Sequence, residues 1–217
     1  MPAIPAAVSR PMVIAIDGPA ASGKGTIARL IAQHYGLAAL DTGLLYRAVG
    51  QALIGKGIDP HDAAAAEAAA RALDADRLDD PALRSEAAGE AASIVAAMPG
   101  VRAALLDFQR NFARQGAVLD GRDIGTVVCP DADVKLYVTA DRETRARRRH
   151  RELSDRGASI DYEQVLADIA RRDQRDSARA TAPLRPADDS HLLDTSDLDI
   201  ETALARAIAI IDAARAI

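Results

Sequence analysis

Apolar residues along the chain follow two patterns that alternate with each other. Short apolar runs predict strands at 12–16, 37–40, 117–119, 134–138 and 191–193, and the first run is rich in β-branched residues, as a buried strand is. Longer segments of helical spacing or composition predict helices at 26–35, 44–54, 61–114 (with two breaks), 141–156, 161–179 and 200–214. This alternation predicts an α/β fold, in which a parallel sheet is covered on both faces by helices.

The segment after the first strand contains the motif G-x₄-G-K and opens a helix, as a phosphate-binding P-loop does. Glycines allow backbone N–H groups to point towards a phosphate, and the helix N-terminus favours an anion. Lys24 can reach the β- and γ-phosphates of a nucleotide as a mobile charge. The alternative is an ordinary glycine-rich turn. The residues assigned to ATP are Gly18, Pro19, Ala20, Ala21, Ser22, Gly23, Lys24, Gly25 and Thr26.

We expect Mg²⁺ as the cofactor, bound together with ATP. The hydroxyl of Ser22 or Thr26 is expected to hold the ion or its waters, although this threonine stands one place later than in the commonest P-loop. Asp120 follows the third predicted strand and is a further candidate, acting through water. Its alternative role is that of a turn former.

The composition narrows the class of protein. The 217 residues suit one domain with a small insertion or lid, after a flexible tail at 1–11. The net charge of −5 argues against a general nucleic-acid binder. The single cysteine, Cys129, excludes an intramolecular disulfide, and no apolar run has the length of a membrane span. We therefore expect a cytoplasmic protein that binds neither nucleic acid nor membranes, and we expect a monomer.

An arginine-dense helix at 142–156 helps to decide between the classes of P-loop protein. A GTP switch needs an N-K-x-D element, and the only asparagine, Asn111, does not stand in one. Small-molecule kinases use such a helix as a lid, whose guanidinium groups close over the transferring phosphoryl group. On a helix, Arg145, Arg148 and Arg149 can share one face. The alternative is a charged helix that faces solvent.

Several segments, in matching order along the chain, carry a resemblance to a known family. They are the P-loop, L-D-T-G-L-L-Y-R at 40–47, D-G-R-D-I-G-T-V-V at 120–128, R-D-Q-R-D-S-A-R at 172–179, A-P-L at 182–184 and H-L-L-D-T at 191–195. From about residue 12 to the C-terminus, the chain resembles the bacterial cytidylate kinases. The resemblance implies a P-loop NTPase fold with a five-stranded core (12–57, 115–140 and 180–217), a small helical acceptor-binding insertion (about 58–114) and a lid (about 142–160). It also implies phosphoryl transfer from ATP to CMP and dCMP.

The resemblance assigns roles position by position. For the phosphate of CMP it implies Arg47 and Arg122, with Thr42 nearby. For the base it implies Ser93, Arg102 and Asp123, and for the sugar Arg172 and Asp176, while Arg179 contributes to the same pocket. The residues implied in catalysis are Lys24, Arg122, Arg145, Arg148 and Arg149.

The chemistry of the base agrees with this assignment. Cytosine offers an amino donor that suits the carboxylate of Asp123, and its O2 and N3 atoms suit donors such as Arg102 and Ser93. Uracil reverses the pattern at positions 3 and 4, so the same set would reject it. Without the resemblance, Ser93 is a helix-packing residue and Asp123 an ion-pair partner of Arg122. We expect Tyr46 to pack in the core rather than to bind a ligand.

One departure and two rival functions stay open at this point. The insertion is shorter than in the common form of the family, and residues 74–84 have little strand character, so a small sheet is not expected there. The first rival is a P-loop kinase for UMP or another small metabolite. The second is a non-catalytic ATP-binding regulatory module.

Overall fold

The computed structural model describes residues 11–74, 76 and 78–216, and the tail expected at 1–11 lies outside this part except for Pro11. Within the described part, parallel strands form one five-stranded sheet in the order β2-β3-β1-β4-β5. They are β1 (Val13–Asp17), β2 (Ala38–Asp41), β3 (Ala117–Gly121), β4 (Val134–Thr139) and β5 (His191–Asp194). The predicted α/β fold is confirmed.

The helices agree with the predicted segments and divide the long helical region into pieces. They are α1 (Lys24–Tyr35), α2 (Thr42–Ile54), α3 (Ala63–Arg71), α4 (Glu86–Val95), α5 (Pro99–Ala113), α6 (Arg142–Asp155), α7 (Tyr162–Ser177) and α8 (Ile200–Arg215). A short 3₁₀ turn (Pro81–Arg84) precedes α4, and a turn of π-helix (Ile124–Val128) follows β3.

Local signals in the sequence set several of these boundaries. Gly36 ends α1 in the left-handed conformation, with φ 66°, as a C-terminal glycine cap does. Asp199 precedes α8 as predicted, and its carboxylate accepts a hydrogen bond from the backbone N–H of Thr202 at 2.7 Å. α1 begins at Lys24, two residues earlier than predicted, because Gly23 already turns the chain into the helix.

Different helices cover the two faces of the sheet. α1 and α8 cover one face, where Ile14 and Ile16 of β1 pack with Ile31 of α1. α5 and the π-helical turn cover the other face, around Leu119 and Ile124. Each such fully buried aliphatic side chain contributes about 1.5–3 kcal/mol relative to an exposed one. The sheet is therefore a rigid platform for the loops at its edge.

The strand register brings the sequence motifs to one edge of the sheet. Asp17 is level with Gly121, and Asp41 is level with Asp120. Because neighbouring parallel strands end on the same side, the P-loop and the segments 41–47 and 120–126 converge there.

The insertion between β2 and β3 is helical. α3, α4 and α5 pack with α2 around Leu45, Val49, Val95 and Leu105. The described residues between β2 and β3 form no strand, as their sequence led us to expect. No single helix in the described ranges is long and apolar enough to cross a bilayer; α4 and α5 meet that length and composition only jointly, with a 102° bend between them.

α6 and α7 form a packed pair with an apolar cluster of their own. Ala146 and Leu153 of α6 pack there with Val165 and Ile169 of α7. Ala21 of the P-loop packs against the same cluster. The arginine-dense helix is thus joined to the phosphate loop by apolar contact.

Candidate active site

A cleft of about 760 Å³ lies at the carboxyl edge of the sheet, between the P-loop, the insertion and the α6–α7 pair. It brings together every residue predicted for the acceptor: Thr42, Arg47, Ser93, Arg102, Arg122, Asp123, Arg172, Asp176 and Arg179. The P-loop contributes Ala20, Ala21, Gly23, Lys24, Gly25 and Thr26. Gly18, Pro19 and Ser22 do not line the cleft; they belong to the base of the loop.

The P-loop has positive φ angles at three positions. Gly18 has φ 152°, and a Cβ atom there would stand 2.0 Å from the carbonyl oxygen of Val138, so only glycine fits. Gly23 has φ 86°, and Ala21 has φ 59°, which side chains with a Cβ atom rarely adopt. The loop leads directly into α1, whose first N–H groups have no partner within the helix. This end of the cleft is therefore suited to an anion.

Lys24 and Asp120 occupy the floor of the cleft, with Asp41 beside them. Burial, reinforced by the charge of Arg122, lowers the pKa of Lys24 from 10.5 to about 8. Burial, reinforced by the charge of Asp41, raises the pKa of Asp120 from 3.8 to about 8. A phosphate bound against Lys24 would favour its charged form.

Two oxygen donors beside the P-loop fit a magnesium ion carried by a nucleotide. A Cβ atom on Gly25 would lie 3.1 Å from Oδ2 of Asp120, so the missing side chain leaves that carboxylate accessible from the loop. The Thr26 hydroxyl group is exposed in the same cleft. Magnesium is typically held by one or two carboxylates together with substrate phosphates. The described ranges contain no group of three or more His, Cys, Asp or Glu that could hold an ion alone.

Ser22 fits the ion less well than the sequence suggested. Its side chain is fully buried beneath the loop, and its hydroxyl group has no hydrogen-bond partner among the described residues. The backbone carbonyl of Ser22 lies 3.1 Å from the hydroxyl group of Thr195. Thr195 therefore supports the loop from below through the Ser22 carbonyl group in this conformation.

Asp176 joins two of the predicted acceptor arginines. Nε of Arg122 donates to its Oδ2 atom at 2.9 Å, and Nη2 of Arg179 donates to its Oδ1 atom. Burial raises the pKa of Asp176, but Arg122 and Arg179 outweigh it and hold the pKa below its ordinary value. The carboxylate stays ionised, and it fixes the two guanidinium groups against the cleft.

The predicted base readers form a buried group at the insertion side of the cleft. Arg102 donates through Nη2 to Asp123 and through Nη1 to the carbonyl oxygen of Ala96, the latter at 3.2 Å. Asp123 is therefore the partner of Arg102, whereas the sequence suggested Arg122. Ser93 lines the same space, and its hydroxyl group is buried without a partner among the described residues. A ligand with complementary polar atoms would satisfy this hydroxyl.

Arg47 and Arg172 both lie beside Gly89 of α4. Nη1 of Arg47 donates to the carbonyl oxygens of Leu83 and Ser85, and Nη2 of Arg172 donates to that of Gly89 at 3.3 Å. A Cβ atom on Gly89 would lie 3.1 Å from Nη2 of Arg47. Burial lowers the pKa of Arg47 to about 10, and Arg172 adds to the effect. Two guanidinium groups at this wall of the cleft suit an anionic ligand.

The three predicted lid arginines have different surroundings. Arg145 is buried: it pairs with Asp173 and donates to the carbonyl oxygen of Ala20 in the P-loop at 3.3 Å. Arg148 donates to the hydroxyl group and the carbonyl oxygen of Thr195, at 2.9 and 2.6 Å. Only Arg149 of the three lines the cleft, where it pairs with Glu152. In this conformation, then, Arg145 and Arg148 support the phosphate loop.

Asp41 and Arg156 are among the cleft residues that were not singled out from the sequence as site residues. Asp41 stands beside Asp120 at the end of β2, and Arg156 follows the last turn of α6 and donates to the carbonyl oxygen of Arg84 in the insertion. The position of Asp41 at the end of a predicted strand could have identified it, since Asp120 was identified from the same kind of position. Arg156 offered no signal that separated it from the other arginines of its helix.

Comparisons with known proteins show which sequences this chain resembles. The sequence profile of the family "Cytidylate kinase" matches residues 14–213. A cytidylate kinase of Xanthobacter autotrophicus is 65% identical over 207 residues, which cover 94% of this chain and 99% of that relative. One of Rhodopseudomonas palustris is 60% identical over 207 residues, with coverage of 94% and 98%. Since these relatives align over almost their whole length, they contain no large insertion that this chain lacks.

A solved structure shows the same fold at low sequence identity. It is an uncharacterized protein from Eubacterium ventriosum, with a TM-score of 0.56, 16% identity, and coverage of 93% of this chain and 98% of that one. At this identity the likeness concerns the fold alone. The function is indicated by the sequence relatives and by the residues of the cleft.

Proposed function

Because this chain belongs to the cytidylate kinase family, we propose that it transfers the γ-phosphoryl group of ATP to CMP and dCMP. The observation that carries the proposal is the pairing of Arg102 with Asp123 beside the unpartnered hydroxyl group of Ser93. These groups present the donors and the acceptor that cytosine requires. They lie in the same cleft as the P-loop, so donor and acceptor would meet within one chain.

The P-loop would bind ATP and orient its γ-phosphate. The backbone of 20–26 would surround the phosphates, and Lys24 would neutralise charge on the β- and γ-phosphates. Mg²⁺, held near Asp120 and Thr26, would supply further neutralisation of the phosphate charge. Thr195 would keep the loop in shape from beneath, through the Ser22 carbonyl group.

The acceptor phosphate would be held by Arg47 and Arg122, with the hydroxyl group of Thr42 nearby. Arg172 and Asp176 would meet the sugar, and Arg179, which pairs with Asp176, would contribute to the same pocket. An oxygen of the acceptor phosphate would attack the γ-phosphorus, forming one P–O bond while the bond to the β-phosphate oxygen breaks and ADP leaves. The attacking oxygen is already ionised, so no strong base is needed.

Catalysis on this proposal is positioning together with charge stabilisation. Lys24, Arg122 and Arg149 reach the cleft directly, whereas Arg145 and Arg148 act by holding the P-loop. Closure of the lid at about 142–160 would exclude water and suppress hydrolysis of ATP. We further propose that the protein acts as a monomer in the cytoplasm, with donor and acceptor bound in a single cleft.

The test is ADP release from ATP-Mg²⁺ with CMP, dCMP, UMP, AMP or GMP as the acceptor, each in a separate reaction. We expect rapid turnover with CMP and dCMP and little with the others. Preference for UMP or AMP would leave a kinase but reject the assignment of Ser93, Arg102 and Asp123. Nucleotide binding without ADP release in any reaction would instead favour a regulatory ATP-binding module.

A further inference from the structure

Tyr46 lies against the guanidinium group of Arg102. Cζ of Arg102 stands over the Tyr46 ring, 5.7 Å from the ring centroid. The face of an aromatic ring attracts a cation at this distance. Both side chains are almost completely buried, and both line the cleft. The ring is therefore a direct neighbour of the group that is proposed to read the base.

The contacts of Arg102 come from three separate elements. Asp123 holds it from the loop after β3, Ala96 from the end of α4, and Tyr46 from α2. The first two contacts lie along the edge of the guanidinium group, where its N–H bonds point. The ring adds a third contact, because Cζ of Arg102 stands over the ring face, and it limits the positions that the guanidinium group can take.

Tyr46 is itself firmly held. Leu45 and Val49, its neighbours on α2, are fully buried in the core of the insertion. Burial raises the pKa of the Tyr46 hydroxyl group, and a hydrogen bond with the Gln109 side chain acts in the opposite direction. Gln109 is 2% exposed, and its Nε2 atom donates to the carbonyl oxygen of Leu105 at 3.1 Å, which fixes the amide group within α5.

We infer that Tyr46 is a positioning residue for base selection, which holds the Arg102 guanidinium group in place through its ring face. This inference rests on the proposed function, because it concerns how Arg102 meets a cytosine ring. Cytosine accepts at N3 whereas uracil donates there, so a guanidinium group held in one position favours the first and opposes the second. A residue that only filled the core would leave this preference unchanged.

The test compares Tyr46→Leu with Tyr46→Phe in the full chain. Leucine keeps apolar packing but removes the ring face, and phenylalanine keeps the ring while losing the contact with Gln109. For Tyr46→Leu we expect KM for CMP to rise about 10-fold and the kcat/KM ratio of CMP over UMP to fall about 5-fold or more. The kcat with saturating CMP should change much less, and KM for ATP should not change. Tyr46→Phe should remain within about 2-fold of the wild type in all these quantities.

Val49→Ala serves as the matched control, because Val49 lies one turn further along α2 in the same apolar core and does not line the cleft. It should lower the melting temperature without changing the CMP over UMP ratio. If Tyr46→Leu left the ratio unchanged, whether or not it lowered kcat/KM equally for CMP and UMP, Tyr46 would have no part in base selection and the inference would be overturned. Wild-type protein without CMP turnover would refute the proposed function itself.

Discussion

Arg145 of α6 and Asp173 of α7 are joined by two parallel hydrogen bonds, Nη1 to Oδ1 at 2.9 Å and Nη2 to Oδ2 at 2.7 Å. The side chain of Arg145 is only 6% exposed, and it also reaches the carbonyl oxygen of Ala20 in the P-loop. This arginine therefore links the α6–α7 pair to the phosphate loop, and the pair can be tested separately from the cleft.

Arg145→Ala should unfold at a lower temperature than the wild type, because it leaves the mostly buried Asp173 without its partner. Removing one member of a buried pair costs about 3–5 kcal/mol, which corresponds to roughly 6–15 °C in melting temperature for a domain of this size. Arg149→Ala is the matched control from the same helix: its melting temperature should stay unchanged, while kcat falls by about 100-fold. Thermal unfolding and turnover should be measured on both variants. A lowered melting temperature in Arg149→Ala, together with an unchanged one in Arg145→Ala, would contradict this view.

Lys24→Ala should abolish phosphoryl transfer while the fold persists. The lysine lies on the cleft floor and makes one long contact, from Nζ to the carbonyl oxygen of Pro19 at 3.4 Å, so its loss breaks no tight network. We expect kcat/KM to fall by at least about 100-fold, since a positioned cation facing developing charge is lost. Lys56→Ala, which removes an exposed lysine, is the control. Normal turnover by Lys24→Ala would refute the assigned phosphate site.

Asp123→Asn should weaken the distinction between CMP and UMP. The carboxylate can only accept hydrogen bonds, whereas an amide can also donate to the oxygen at position 4 of uracil. We expect kcat/KM for CMP to fall about 100-fold and the preference for CMP over UMP to fall at least about 10-fold. KM for ATP should not change. An unaltered preference would move base reading away from this residue.

Gly89→Ala should weaken acceptor binding without unfolding the protein. The new methyl group would press on the guanidinium group of Arg47, and Arg172 bonds to the backbone at the same position. Alanine is the better helix former by about 1 kcal/mol, so a weaker binding of the acceptor could not be explained by a weaker helix. We expect KM for CMP to rise about 5-fold or more, with KM for ATP unchanged.

Ala87→Gly, at an exposed position of the same helix, should give the reverse combination of effects. Its melting temperature should fall, because glycine weakens a helix, while both KM values stay at the wild-type level. Equal KM values for CMP in Gly89→Ala and in the wild type would show that Arg47 and Arg172 are not held through this glycine.

The pH dependence of stability should contain a contribution from Asp17. Burial raises its pKa from 3.8 to about 6, although its carboxylate accepts hydrogen bonds from the N–H groups of Ile124 and Gly125, both at 2.8 Å. Between these pH values the folded protein keeps a proton that the unfolded chain has lost. The contribution of Asp17 to stability is therefore full below about pH 4 and decreases by on the order of 3 kcal/mol as the pH rises through 6.

Urea unfolding of the wild type and of Asp17→Asn, at several pH values between 4 and 7, measures this contribution. The stability of the wild type relative to the variant should decrease as the pH rises across that range. A difference that stays constant with pH would mean that Asp17 has an ordinary pKa in the folded protein.

The fold could be predicted from the sequence because its signals are local. Short apolar runs indicated each strand to within a few residues, and the cap residues Gly36 and Asp199 fixed helix ends. The motifs at strand ends placed the cleft, since parallel strands end on one side. The resemblance then supplied the acceptor residues, which the structure brings together in one cleft.

Partners between side chains could not be predicted in the same way. Asp123 pairs with Arg102 rather than with its neighbour Arg122, because the turn between α4 and α5 places Arg102 over the end of β3. The arginines of α6 differ in role for a similar reason. Which of them faces the cleft depends on where α7 packs, and Asp173, the residue that holds Arg145, lies 28 positions away in the sequence.

The contact between Thr195 and the P-loop has a consequence for synthesis of the chain. The Thr195 hydroxyl group lies 3.1 Å from the carbonyl oxygen of Ser22, and 173 positions separate the two residues. A ribosome-bound chain that has not yet released residues 191–195 lacks both β5 and this support beneath the loop. Nascent chains therefore carry the whole P-loop sequence for most of their translation before its final supporting contact can form. A stop codon at residue 191 would yield a chain that contains every cleft residue but lacks the contact of Thr195 beneath the phosphate loop.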